Sequence, residues 1–176
     1  MTTEQQTLER CQALLEQAIV LVEMIDDEVF AEKSNISPHG SIGTHLRHIL
    51  GFYQSFISGL ESGRVDYNQR PRDRLLELDR RYTLNTIEAT IAGLNSMTKH
   101  AGAYPLLVAA EQVDKEITVW CHSTFLRELD FLQSHTIHHY SLIAMLLRLR
   151  GIDPGPEFGV APSTLNYWRE EAVCVP

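Results

Sequence analysis

Cysteine is scarce, and its three positions, Cys11, Cys121 and Cys174, are odd in number and far apart. That is poor material for a disulfide framework, and a reducing cytoplasm is the expected home for such thiols. Long apolar runs are missing as well. No stretch approaches the roughly 18 residues of a membrane-spanning helix. The opening MTTEQQTLERCQ carries no positive segment leading into an apolar one, so no secretory leader is expected. Positive charge is short too, with 15 basic against 23 acidic side chains and a formal charge of -8. Such a surface repels a phosphate backbone, which excludes nucleic acid as an expected partner, and a membrane is equally unexpected. There is no Gly-rich phosphate loop, and the zincin pattern HExxH fails because Thr136 stands where its Glu would be.

What is present is an ordinary globular balance, 44% hydrophobic and 22% charged over 176 residues, enough to bury a core in one domain spanning 1–176. Apolar residues recur at helical spacing from Thr3 to Lys33 (Leu8, Cys11, Leu15, Ile19, Val22, Ile25). Ser37-Pro38-His39-Gly40 then predicts a break. A second helix is expected over Ser41–Leu60, ended by Ser62-Gly63. After a polar connector from Val65 to Arg72, a third should run over Asp73–Met97. Between Tyr104 and Cys121 the period shortens to two, which predicts a β-hairpin turning near Asp114, with Cys121 on its apolar side. The last long helix begins at Ser123 or Thr124 and reaches Arg150 before Gly151. The Pro- and Gly-rich tail reads as an extended arm with at most one helical turn. The expected fold is therefore all-α, a four-helix bundle with a short β-hairpin between helices 3 and 4 and an extended C-terminal arm.

Five of the eight histidines fall in two helical stretches, His45 and His48 in GTHLRHIL and His135, His138 and His139 in SHTIHHY. His135 and His139 are four apart, so they stack on one helix face within a stripe that includes Phe125, Leu129, Leu132, Leu142 and Leu146. Two imidazoles side by side in a core are hard to satisfy as bases or as cations, and a divalent metal resolves the conflict. A single buried histidine is more often a hydrogen-bonded core residue than a ligand. The pair plus a second cluster on another helix is what favours metal. A third ligand should come from the facing helix. Periodicity slightly favours His45 over His48, and spacing alone leaves the choice open.

Ser41-Ile42-Gly43, a His at the eighth position from that serine, and a late-helix HxxxH resemble the DinB-like (DinB/YfiT-type) superfamily of metal-binding four-helix bundles. The resemblance covers nearly the whole chain in helix order and length, but only these two motifs are specific. It implies His48, His135 and His139 as the metal ligands, with His45 and His138 beside them, around zinc, nickel or iron. It also implies a metal-dependent thiol transferase or hydrolase acting on a small molecule, with a low-molecular-weight thiol as co-substrate and a homodimer as the assembly. The alternative is a non-catalytic metal-binding stress-response protein or a dimeric structural one. Arg70 and Arg72 read as surface salt bridges, with a clamp for a substrate carboxylate or phosphate as the second reading. Arg127 and Glu128 are candidates to line the pocket, although adjacent residues point to different faces. Tyr140 reads as core or as a hydrogen-bond donor near the site. The tail segment from Phe158 to Thr164 is expected to cover one end of the helices.

Overall fold

The computed structural model describes residues 3–33, 40–97, 104–111 and 118–173. The expected turns at Ser37-Pro38-His39 and near Asp114, together with Cys174, lie outside them. The chain opens with helix α1 (Thr3–Met24), whose buried side chains Leu8, Cys11, Leu15, Ala18, Leu21 and Val22 form one stripe. The single helix expected as far as Lys33 is interrupted. Asp26 takes an extended conformation and accepts a hydrogen bond from the Val29 amide at 2.8 Å, capping a short α2 (Asp27–Ala31). Ile25 and Phe30 are both buried, so the apolar pattern runs on across the break and conceals it.

Helix α3 (Ile42–Gly59) starts where the sequence predicts, with the Ser41 hydroxyl accepting from the Thr44 amide at 3.1 Å. Its glycines decide what runs alongside. A Cβ on Gly43 would meet the Glu77 carbonyl at 2.4 Å, one on Gly51 the Pro71 carbonyl at 3.0 Å, and one on Gly59 the Arg64 carbonyl at 2.4 Å. The returning segment from Arg64 to Glu77 thus lies directly on α3. It is not the polar connector the sequence implied, because Val65 and Tyr67 are buried in it. It holds strand β1 (Arg64–Val65), a 3-10 turn at Tyr67–Gln69 and helix α4 (Leu75–Leu78). The expected helix over Asp73–Met97 is also split. Asp79 caps α5 (Arg80–Ser96) by accepting from the Tyr82 amide at 2.9 Å.

Strand β2 (Pro105–Ala109) pairs antiparallel with β3 (Trp120–Thr124), as the alternating pattern predicts. Strand β1 adds to it in parallel, with Arg64 opposite Leu107 and Val65 opposite Val108. The last residue of β3, Thr124, caps α6 (Phe125–Arg148) by accepting from the Arg127 amide. Sheet and helix are thereby welded at one point. Helices α1 and α3 each pack against both α5 and α6, so the fold is mostly helical with a small three-stranded sheet at one end. No helix among the described residues is long and apolar enough to cross a membrane.

The extended arm is corrected. Pro162 to Val173 form a further helix, α7. The tail's glycines, and all its prolines except Pro162 and Pro176, precede the helix, and Pro162 stands at the first helical position, where its fixed φ suits the turn. Upstream, Phe158 stacks on Tyr140 at 4.6 Å between ring centres. Gly159, at φ +74, brings its backbone so close to Ser141 that a Cβ would sit 2.6 Å from the Ser141 nitrogen. The tail is therefore pinned to the flank of α6, next to α1.

Candidate metal centre

Helix α6 has two adjoining stripes. Leu129, Leu132, Thr136, Tyr140, Ile143 and Leu147 are buried, while Phe131, His135 and His139 lie half-buried beside them. Helix α3 repeats the arrangement, with Leu46, Ile49 and Tyr53 buried and His45, His48 and Phe52 half-buried. The histidines thus stand on the margin of the core rather than within its central stripe, as periodicity implied. Because α3 packs on α6, the two margins face each other. The His48 ring lies 5.0 Å from His135 and 4.6 Å from His139, and His135 lies 4.6 Å from His139. One ring nitrogen from each of these three falls within 4.8 Å of the others.

His45 belongs to the cluster in another way. Its Nδ1 lies 2.9 Å from Nδ1 of His139, a hydrogen bond in which one ring donates and the other accepts. A His139 tautomer that donates from Nδ1 keeps its Nε2 lone pair free. His138, by contrast, is exposed and meets His139 edge-on at 5.3 Å.

Protonation follows from crowding. Burial, then the neighbouring His135 and the Arg70 and Arg47 charges, lower His48 to about 4. Burial, then His138 and Arg70, lower His135 to about 4. His139 falls to about 3, through burial and then the surrounding histidines, and His45 is lowered by burial and His138. All four are neutral bases at pH 7, the form in which imidazole ligates a metal. The Nε2 atom of His135 is buried and has no hydrogen-bond partner among the described residues. Such an atom is costly unless something accepts its lone pair or proton. Three imidazoles around one ion at roughly 2.0–2.1 Å have nitrogens about 3.3 Å apart, so the observed nitrogens, within 4.8 Å of one another, would draw closer by up to about 1.5 Å to hold one ion. The donor set fits a divalent ion of the borderline class and does not choose among zinc, nickel and iron.

His48 and His135 also form the back wall of an open cavity of about 610 Å³. Its sides are the aromatic rings of Phe52, Tyr67 and Phe131. Phe52 lies 4.3 Å from His135, 5.0 Å from Tyr67 and 5.7 Å from Phe131. At its base Glu128, 2% exposed, accepts hydrogen bonds from the Tyr67 hydroxyl at 2.9 Å and from Ser123 at 2.5 Å. Both Arg127 and Glu128 therefore line the cavity, but unequally, for the Arg127 side chain is 63% exposed and only 3.5 Å from Glu128 at its nearest.

The structure also revises several sequence readings. Among the described residues neither Arg70 nor Arg72 forms an ion pair within 4.0 Å, against the salt bridges expected. Arg70 stacks on Phe52 instead, with its Cζ 4.8 Å from the ring centre. Tyr140 is core, donating to the Leu14 carbonyl on α1. Cys121 is exposed rather than buried, because β3 lies at the sheet edge and that residue reaches the cavity rim. Phe52 and Phe131 escaped the sequence reading. Their signal was present, since Phe52 follows His48 by four and Phe131 precedes His135 by four, the spacing that marked the histidines. Tyr67 gave none, because its place depends on the glycines of α3.

A family model described as the DinB family matches residues 1–169. A protein of Rhizopus delemar named FK506-binding protein 5 is 28% identical over 167 residues, which is 93% of this chain but 38% of that protein. The chain thus spans well under half the length of that relative.

Proposed function

The chain belongs to the DinB family, and from that premise we propose that it is a divalent-metal-dependent enzyme transferring a thiol to, or hydrolysing, a small molecule. His48, His135 and His139 would hold one ion. The observation that carries the reading is that these neutral imidazoles converge and that two of them, His48 and His135, line an open cavity. A set of three protein ligands with solvent access is the pattern of catalytic rather than structural sites. The ion supplies Lewis acidity, which draws the pKa of a thiol or water toward neutrality. The chain's own groups do the rest. His45 orients His139 through the Nδ1 contact. Phe52, Tyr67 and Phe131 exclude water from one side, and Glu128, held by Tyr67 and Ser123, is the proton acceptor for an incoming nucleophile.

In the same reading, the four long helices form one four-helix bundle, a single domain over 1–176 working in the reducing cytoplasm. A homodimer has one observation in its favour. Val20 and Met24 on α1 are 66% and 48% exposed, beside an apolar cavity of about 750 Å³ between α1, α6 and the tail.

A cobalt(II)-loaded sample titrated with 2-mercaptoethanol separates enzyme from staple. A new near-ultraviolet sulfur-to-cobalt absorption, absent from His135→Ala, is the expected result. An unchanged spectrum over the whole titration contradicts the thiol-transferring reading.

A further inference from the structure

Four arginines are half-buried: Arg47, Arg70, Arg80 and Arg150. Three of them face carboxylates, Arg47 with Glu77 at 2.8 Å, Arg80 with Asp27 at 2.6 Å and Arg150 with Glu32 at 3.0 Å. Arg70 does not, although acidic side chains outnumber basic ones by 23 to 15. Its Nη1 donates to the Tyr67 carbonyl at 2.8 Å, and its plane lies over Phe52. The remaining donors have no protein acceptor among the described residues. Arg70 lines the same cavity as His48 and His135. Burial and the like charges of Arg72 and Arg47 work against its ionised form, and only Glu111, at the cavity rim, works for it.

A half-buried guanidinium that is tethered and stacked, with its remaining donors left without an anion, is a site waiting for one. Its fixed fork suits a planar carboxylate, which it can meet with two parallel hydrogen bonds. The tether to Tyr67 and the stack on Phe52 remove most of the ordering cost in advance. Charge also limits the choice. Glu128 and Glu111 line the cavity, so a dianion would be repelled where a monoanion is tolerated.

We propose that Arg70 anchors the carboxylate of a small organic acid in the 610 Å³ cavity, so that the rest of the molecule lies along Phe52 toward His48 and His135. This rests on the metal-site reading above for its consequence, the direction in which the acid presents itself, but not for the binding itself.

The test is nuclear magnetic resonance on the full chain with equimolar zinc at pH 7, titrated with butyrate and separately with the isosteric butyramide. Metal content is measured on the same samples. Butyrate should shift the Arg70 Nε–Hε signal and the Asn68 and Arg70 amides in a saturable way, and butyramide should not. Arg70→Gln should weaken butyrate binding by about tenfold or more while zinc content stays at the wild-type level. Arg70→Lys, which keeps the charge but loses the fork, should fall between the two. Equal shifts from both ligands, no shift from butyrate, or unchanged affinity in Arg70→Gln would each overturn the proposal. His135→Ala/His139→Ala separates the two claims. Loss of zinc with butyrate binding retained supports the anchor alone, and zinc unchanged there counts against the metal site only.

Discussion

The two neighbouring stripes of α6 differ in how they treat polar atoms. In the buried stripe the hydroxyls of Thr136 and Tyr140 are closed off, and the exception on the buried side of the helix is Gln133 Oε1, which lies at the larger cavity along α1 with no partner among the described residues. The Thr136 hydroxyl donates to the Leu132 carbonyl at 2.7 Å and meets the Tyr53 hydroxyl, while Tyr140 donates to Leu14. One residue around the helix, the half-buried stripe leaves His135 Nε2 without a partner among the described residues, and Arg70, which lines the same cavity, without an anion among them. The contrast teaches that the first stripe holds the fold and the second is kept open for something the chain does not itself contain. The cavities repeat the lesson. The larger one, about 750 Å³ along α1, is walled mostly by apolar groups, whereas the smaller one carries the chemistry.

The comparison can be broken from either side. The largest effect is expected in the buried stripe. Leu129→Ala, at a fully buried position, should cost about 2–5 kcal/mol in urea unfolding, with the metal content of the folded fraction unchanged. A similar stability loss from His48→Ala in the metal-free protein would erase the distinction between stripes. Next in size is His45→Ala, which should weaken metal binding by about 10–100-fold in a competition titration, because it removes the group that orients His139. Unchanged affinity would make His45 a bystander.

The pH dependence should be smaller per group and has a definite sign. His48 and His135 are lowered to about 4 and His139 to about 3, from 6.5, so below 6.5 the unfolded chain binds more protons than the folded one. The metal-free protein should therefore hold its full stability above pH 6.5 and lose it progressively as pH falls toward 4. Urea midpoints at pH 7 and 4.5 check this, and His48→Gln/His135→Gln should flatten the difference between them. The smallest effect is Gly51→Ala. Its Cβ would meet the Pro71 carbonyl at 3.0 Å, so the segment carrying Arg70 must shift slightly, and butyrate affinity should drop while thermal stability changes by about 1 kcal/mol or less.

Helices α3 and α6 were legible to within a few residues, because strong periods, Ser41 and Thr124 caps and the glycines beyond mark both ends. The histidine pair was legible for the same reason, as four residues on a helix fix a shared face. The choice between His45 and His48 was not, since both flank the buried stripe of α3 and only the approach of α6 separates their roles. Breaks at Asp26 and Asp79 stayed hidden because apolar residues continue through them. Strand β1 has two residues and pairs with a strand more than forty positions away, which no local pattern records. The helix Pro162–Val173 was obscured by averaging the tail's composition across its Pro- and Gly-rich start. Tyr67 and Arg70 reach the cavity because Gly51 and Gly59 let the backbone come close, a dependence between segments that periodicity cannot see.

The central claim is that His48, His135 and His139 hold an ion, and the most direct measurement is metal content. The protein would be purified without a histidine tag, offered zinc, nickel and iron(II) in turn, desalted, and assayed by mass spectrometry beside His135→Ala/His139→Ala. The account predicts close to one ion per chain in the wild type and background in the variant. Equal, negligible metal in both would contradict it and return the histidines to ordinary packing.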